Sequence, residues 1–212
     1  MAKGWFEVDK AGLGHLVDQQ NKGRIIAELL QNALDEQVST VNITLQPHPG
    51  GRLADLIVED DSPDGFRDLA HAYTLFVDSR KKDDPEKRGR FNLGEKLVLA
   101  VCRDAQISTT SGTVIFRNDG QRVLKPRVKR ERGSEFRATI RMNRAEHGEA
   151  LSYLNSVLVP RDVRVTLNGT TLAPRFPVHA FDATLETEVA DEDRTLRTRR
   201  RKTRIELYAP AH

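Results

Sequence analysis

Only one cysteine occurs in the 212 residues of this chain. A lone thiol excludes any disulfide within the chain. Cys102 follows the apolar run Leu97-Val98-Leu99-Ala100-Val101, which marks it as an ordinary core residue. No stretch approaches the roughly 20 consecutive apolar residues that a membrane-spanning helix needs. The opening Met1-Ala2-Lys3-Gly4-Trp5 lacks the apolar segment of a secretory signal. Together these absences set the expectation of a cytoplasmic protein with no membrane partner. Charge of one sign is not in excess either: 34 Lys and Arg face 31 Asp and Glu, for a net +3. So even a balance does not by itself point to nucleic acid. What is present is a chain 38% hydrophobic and 31% charged. That suits one soluble domain with its own core, plus part of a second.

The basic residues are unevenly placed. Arg194, Arg197, Arg199, Arg200, Arg201, Lys202 and Arg204 crowd one short segment. Such a run can attract phosphate, so Arg194 to Arg204 is a candidate nucleic-acid contact. A solvated edge strand, kept from aggregating by its charges, has the same composition.

Hydrophobic spacing divides the chain. Gly14 to Gln20 and Gly23 to Gln37 read as helices, the second carrying Ile25, Ile26, Leu29, Leu30, Ala33 and Leu34 at helical intervals. Val41 to Leu45 and Leu53 to Val58 read as strands of a hairpin around Pro47-His48-Pro49-Gly50-Gly51. Phe66 to Val77 is helical in pattern, and Ser79 to Arg90 is charged, poor in apolar residues and reads as an exposed loop. Leu97 to Cys102 reads as a buried helix. Strands follow at Ala105 to Thr110, Thr113 to Arg117, Val123 to Val128 and Glu135 to Arg141, with the hairpin turn Asn118-Asp119-Gly120 among them. A helix at Ala145 to Leu158, a strand at Val163 to Leu167, the turn Asn168-Gly169 and Thr171-Leu172 complete the series. This order predicts an α+β, two-layer sandwich with helices packed on one face of a mixed, mostly antiparallel sheet. After Pro174 the composition shifts, which divides the chain into a domain at 1–174 and an extension at 175–212, the start of a second domain cut short at His212.

Three segments carry chemistry. In Glu28-Leu29-Leu30-Gln31-Asn32-Ala33-Leu34-Asp35, spacings of four and three put Glu28, Asn32 and Asp35 on one polar stripe opposite an apolar one. An amide oxygen is a hard ligand suited to Mg²⁺, and a carboxylate one turn earlier can orient a water. A plain solvated helix face gives the same pattern. In Val58-Glu59-Asp60-Asp61-Ser62-Pro63-Asp64-Gly65, a strand runs into acidic residues and a glycine. A carboxylate there can accept a hydrogen bond from an exocyclic amine, and Gly65 lets backbone pass a flat ring. In Gly89-Arg90-Phe91-Asn92-Leu93-Gly94-Glu95-Lys96, glycines open a helix whose free N–H groups and positive dipole end favour an anion, with Lys96 as an added charge. It is not a P-loop, because Leu97 follows the lysine where a hydroxyl is required.

Taken in this order, with Gly133-Ser134 before a later strand, the segments resemble the GHKL family of the Bergerat fold. That family includes gyrase B, MutL, the large heat-shock chaperones and histidine kinases. The resemblance spans Ile25 to Leu167. It implies ATP and Mg²⁺ as cofactors, with ATP and ADP as ligands. By it Glu28 is the water-orienting carboxylate, Asn32 the magnesium ligand and Asp35 a support. Asp61 is the residue that receives the adenine amino group, with Gly65 beside the ring and Ser134 supporting that aspartate. Gly89, Arg90, Phe91, Gly94 and Lys96 would contact phosphate under a lid at Ser79 to Arg88. Pro63 stands where the family has a glycine, and Asn92 replaces another. Asp35 favours the hydrolase branches over the kinases, which carry a basic residue there. The implied activity is an ATPase that closes its lid and dimerises on ATP within a larger machine; the 175–212 extension would begin a transducer-like domain. The alternative is a nucleotide-binding switch or scaffold without turnover. The pattern also resembles phage and bacterial ATP-binding proteins related to the rIIA lysis-inhibition protein.

Overall fold

In the computed structural model, residues 12, 14–15, 20–65, 69, 94–190 and 196–210 are described. Helix α1 (Lys22–Leu34) is followed by strands β1 (Thr40–Pro47) and β2 (Leu53–Asp60), then helix α2 (Gly94–Val101). Strands β3 (Cys102–Thr109), β4 (Gly112–Phe116), β5 (Arg122–Lys125) and β6 (Glu135–Arg141) precede helix α3 (Arg144–Ser156). Strands β7 (Arg164–Leu167) and β8 (Thr170–Thr171) finish the main body, and β9 (His179–Ala190) and β10 (Leu196–Leu207) follow. The expected helix at Phe66 to Val77 and loop at Ser79 to Arg90 fall outside the described residues but for Leu69, and so does most of Gly14 to Gln20.

Eight strands form one sheet in the order β5-β4-β3-β6-β2-β1-β7-β8. All pairings are antiparallel except β1 with β7. The fold is therefore the expected α+β sandwich on a mixed sheet. Alternation explains why one sheet face is dry: Val41, Ile43 and Leu45 of β1, Ala54, Leu56 and Val58 of β2, and Phe136, Ala138 and Ile140 of β6 are all buried. Opposite them α1 buries Ile25, Ile26, Leu29 and Leu30. Each fully buried aliphatic side chain contributes about 1.5–3 kcal/mol, so this shared interior holds the two layers together.

The start of α1 is held from two sides. Asn21 caps it by accepting from the Gly23 amide at 2.8 Å. Lys22, buried despite its charge, places Nζ 2.7 Å from Glu146 in the first turn of α3. Burial pushes the Glu146 carboxyl up, but the Asn143 amide and the Lys22 ammonium outweigh it and hold the carboxyl below its ordinary range.

Helix α1 ends at Leu34, three residues before the expected Gln37, and β9 is a strand outside those expected; two further boundaries differ, each for a local reason. The strand expected to reach Val128 stops at Lys125, because Pro126 has no N–H for the ladder. Helix α2 passes straight into β3 without a loop, so Cys102 begins a strand rather than ending a helix. The β3–β6 register is irregular between Cys102 and Asp104 as the chain changes period.

Candidate functional site

Helix α1 lies between its neighbours, packing extensively on α3 and less on α2 while spanning β1 and β2. Gly23 marks the flank against α3: a Cβ there would come 2.8 Å from the Ala150 carbonyl and from Tyr153. At about 100° per residue, Glu28 and Asn32 stand about 140° and 180° around from that contact. They face away from α3. Both are half-buried, which suits polar groups lining a cleft better than a fully solvated stripe. Asp35 is the C-cap and closes the stripe: its backbone is still helical and its N–H bonds to the carbonyls of Gln31 and Ala33.

The link from Asp35 to Ser39 is short, so α1 ends where β1 begins and β2 finishes. Val41 pairs with Asp60 at that edge. Here two adjacent carboxylates part company. Asp61 turns to the entry of β1, where Oδ1 accepts from the Ser39 amide at 2.8 Å and the Thr40 amide at 3.0 Å, and Oδ2 accepts from the Ser39 hydroxyl. Arg132 donates to the Asp61 carbonyl and lies 3.5 Å from its carboxylate. Partial burial pushes this carboxyl up; the Ser39 hydroxyl, the two amides and Arg132 together outweigh it and hold it below the ordinary value of 3.8.

Asp60 continues the alternation of Ala54, Leu56 and Val58, the face of β2 that meets the helices. Its Oδ1 accepts from the Ser62 amide at 2.9 Å and the Ser134 amide at 3.3 Å, and also from the Ser62 hydroxyl. The Asp60 amide in turn bonds the Ser134 carbonyl at 3.0 Å. Ser134 thus meets Asp60 and not Asp61. Spacing to Gly65 singles out Asp61; the in–out pattern of β2 is the sequence signal that singles out Asp60.

Backbone is woven tightly around this carboxylate. Gly133 donates to the Ser62 carbonyl at 2.7 Å and has φ +70°; a Cβ on it would sit 1.9 Å from the Asp60 carbonyl oxygen. Gly65, at φ +58°, lies so close that an added Cβ would be 2.9 Å from the Gly133 carbonyl and 3.3 Å from the Ser134 hydroxyl. Only glycine fits either position. The Thr110 hydroxyl, just past β3, bonds the Asp64 carbonyl. Asp60, Gly65 and Ser134 are therefore brought together from two segments of the chain.

Gly94 is the first residue of α2, so the helix expected behind the glycine pair is present, and Lys96 lies within it. Gly89, Arg90 and Phe91 lie outside the described residues. Among the described residues no group of three or more His, Cys, Asp or Glu side chains gathers to hold a metal. The donor set around Asn32 is instead one amide oxygen with a neighbouring carboxylate. That set fits Mg²⁺, which takes few protein ligands alongside phosphate and water. Among the described residues no helix is long and apolar enough to cross a membrane.

No family model and no curated protein matches the sequence. Solved structures do match. The ATPase and transducer domains of DNA topoisomerase II from Balamuthia mandrillaris align with a TM-score of 0.51 at 16% identity, over 72% of this chain and 48% of that one. The ATPase region of Saccharomyces cerevisiae topoisomerase II gives 0.48 at 17% identity, over 71% of this chain and 48% of that one. Its complex with dexrazoxane gives 0.49 at 18%, with the same coverage. The chain thus spans about half the length of the solved chains it matches. At such identities the likeness is one of fold and singles out no particular member. The chain shares the α+β fold of the Balamuthia ATPase and transducer domains.

Proposed function

We propose that this chain binds ATP with Mg²⁺ between α1, α2 and the ends of β2, β3 and β6, and that it hydrolyses the nucleotide. The observation that carries the reading is the cradle of Asp60, Gly65 and Ser134, with Glu28 and Asn32 one turn apart and half-buried on the flank of α1 turned away from α3. In this reading the Asn32 amide oxygen holds the metal, which when bound neutralises phosphate charge. Glu28 orients a water in line with the terminal phosphate, a contribution of positioning and electrostatics with no covalent intermediate. Asp35 steadies the end of α1.

For the base, the favoured carboxylate is Asp60. Its bonds from Ser62 and Ser134 fall on Oδ1, so Oδ2 is the oxygen to accept a hydrogen bond from the adenine amine. Asp61, the residue the resemblance points to, then acts by fixing the entry of β1. The absent side chain at Gly65 admits the ring, and the Ser134 hydroxyl stands beside it. Phosphate contacts come from Gly89, Arg90, Phe91 and the amides at Gly94, with Lys96 adding charge, under a lid at residues 79–88. Residues 1–174 form the nucleotide module. Residues 175–212 form a transducer-like extension, and ATP drives lid closure and self-association.

Steady-state ATP turnover of the protein and of Glu28→Ala tests the catalytic half of this reading. Loss of the water-orienting carboxylate is expected to lower turnover by about 10²-fold or more while ATP is still bound. Equal rates would remove Glu28 from the role. Binding without measurable turnover in the unmodified protein would make the chain a nucleotide switch instead.

A further inference from the structure

The hairpin of β9 and β10 contributes nothing to the proposed nucleotide site, yet it carries most of the basic run. Its register sorts that run by face. Directly opposed residues of an antiparallel pair share a face, and faces alternate along each strand. Arg197, Arg199 and Arg201 therefore stand on one face, opposite Val189, Thr187 and Leu185. The same face continues through Thr203 with Ala183, Ile205 with Phe181, and Leu207 with His179. It holds three arginines and no acidic residue. The other face holds Arg200, Lys202 and Arg204 together with Asp182, Glu186, Glu188 and Glu206. There Arg200 opposes Glu186 and Arg204 opposes Asp182, while Lys202 Nζ lies 3.4 Å from the Asp182 carboxylate.

A strand that needs charge only for solubility gains nothing from such segregation. We propose that the face bearing Arg197, Arg199 and Arg201 docks on the phosphate backbone of duplex DNA. A two-stranded ribbon is one of the shapes the major groove of B-DNA admits. Twelve residues per strand give it a reach of about 40 Å. Alternate residues stand about 6.8 Å apart, so the three arginines line about 14 Å of that face as a compact strip of positive charge. Guanidinium groups suit phosphate because two parallel N–H donors match two oxygens. Below the arginines, Phe181, Leu185 and Leu207 are 42%, 43% and 48% exposed and offer apolar surface to deoxyribose. A second copy of this chain fits the face poorly, because face-to-face stacking would crowd arginines against arginines. The inference does not depend on the ATP reading.

Fluorescence anisotropy of a short labelled duplex across a salt series tests it, using three forms of the whole chain. One is unmodified. One carries Arg197→Gln, Arg199→Gln and Arg201→Gln. The third carries Arg200→Gln, Lys202→Gln and Arg204→Gln, the same change in net charge on the other face. The first triple is expected to weaken binding at least about tenfold and to flatten the log–log salt slope by about 2–3, at about 0.9 for each phosphate no longer neutralised. The second is expected to stay within about threefold of the unmodified chain. Equal losses in both triples, or no duplex binding at low salt, would overturn the proposal. So would binding to phosphatidylserine–phosphatidylcholine vesicles in place of duplex. Thermal melting checks that the variants fold; if the first triple does not, Arg199→Gln alone is expected to flatten the slope by about one, and an unchanged slope would overturn the proposal equally.

Discussion

The eight-stranded sheet and the two-stranded hairpin both carry many charges, but they hold them in different ways. At the ends of β2 and β6 each acidic group is tied to backbone or to a partner. Asp60 is bonded by the Ser62 and Ser134 amides, Asp61 by those of Ser39 and Thr40, and Glu135 by Arg137 at 3.2 Å. Those bonds sit on the rim of a dry interior in which Leu30, Leu45 and Leu56 have no exposure at all. In the hairpin, by contrast, Phe181, Leu185 and Leu207 all keep more than two-fifths of their surface in contact with solvent. Among the described residues no other element packs on it to more than a slight extent. A lone pair of strands gains little from its own burial. The first region sets its charged groups on the rim of a dry interior, whereas the second carries its charges on strands whose apolar residues stay largely in solvent.

Substitutions can break or sharpen that contrast. Leu30→Ala empties a fully buried position beneath α1 and is expected to cost about 2–5 kcal/mol in denaturant unfolding. A cost below about 1 kcal/mol would mean that α1 does not seal the sandwich as its burial implies. Asp61→Asn removes a carboxylate that accepts from two amides and a hydroxyl, with an expected cost of about 1–3 kcal/mol at neutral pH. The folded pKa of Asp61 lies below 3.8. Its contribution is therefore complete above the unfolded value and is lost as pH falls through the folded one. The difference between the unmodified protein and Asp61→Asn should accordingly shrink as unfolding is followed into acid, and a gap that widened would contradict the assignment. Asp60→Asn serves as the companion: it is expected to weaken adenine nucleotide binding more than Asp61→Asn does. The smallest effect belongs to the hairpin. Leu185→Ala is expected to change global stability by less than about 1 kcal/mol, measured on the same denaturant curve.

Much of the fold is legible in the sequence. Periodicity locates α1, the β1–β2 hairpin and α3, and it places β6 at Glu135 to Arg141 without error at either end. Turn chemistry locates Asn118-Asp119-Gly120, where Gly120 N–H bonds the Arg117 carbonyl at 3.0 Å. The α2–β3 junction is not legible, because no glycine, proline or cap separates Val101 from Cys102. The proposed choice of Asp60 over Asp61 is only half legible. Motif spacing counts along the chain and reaches Asp61, whereas side-chain direction depends on the pleat of β2 and on Ser134, 74 residues away in sequence from Asp60. The sorting of arginines by face needs the β9–β10 register, which no composition supplies.

The central claim is that α1 and the Asp60–Gly65–Ser134 cradle together form a site for Mg²⁺–ATP. Calorimetric titration of the whole chain with ATP, with and without Mg²⁺ and against GTP as competitor, tests it most directly. Saturable binding that prefers the adenine base, and that loses its Mg²⁺ dependence in Asn32→Ala, is the expected result. No binding, or binding indifferent to both base and metal, would contradict it.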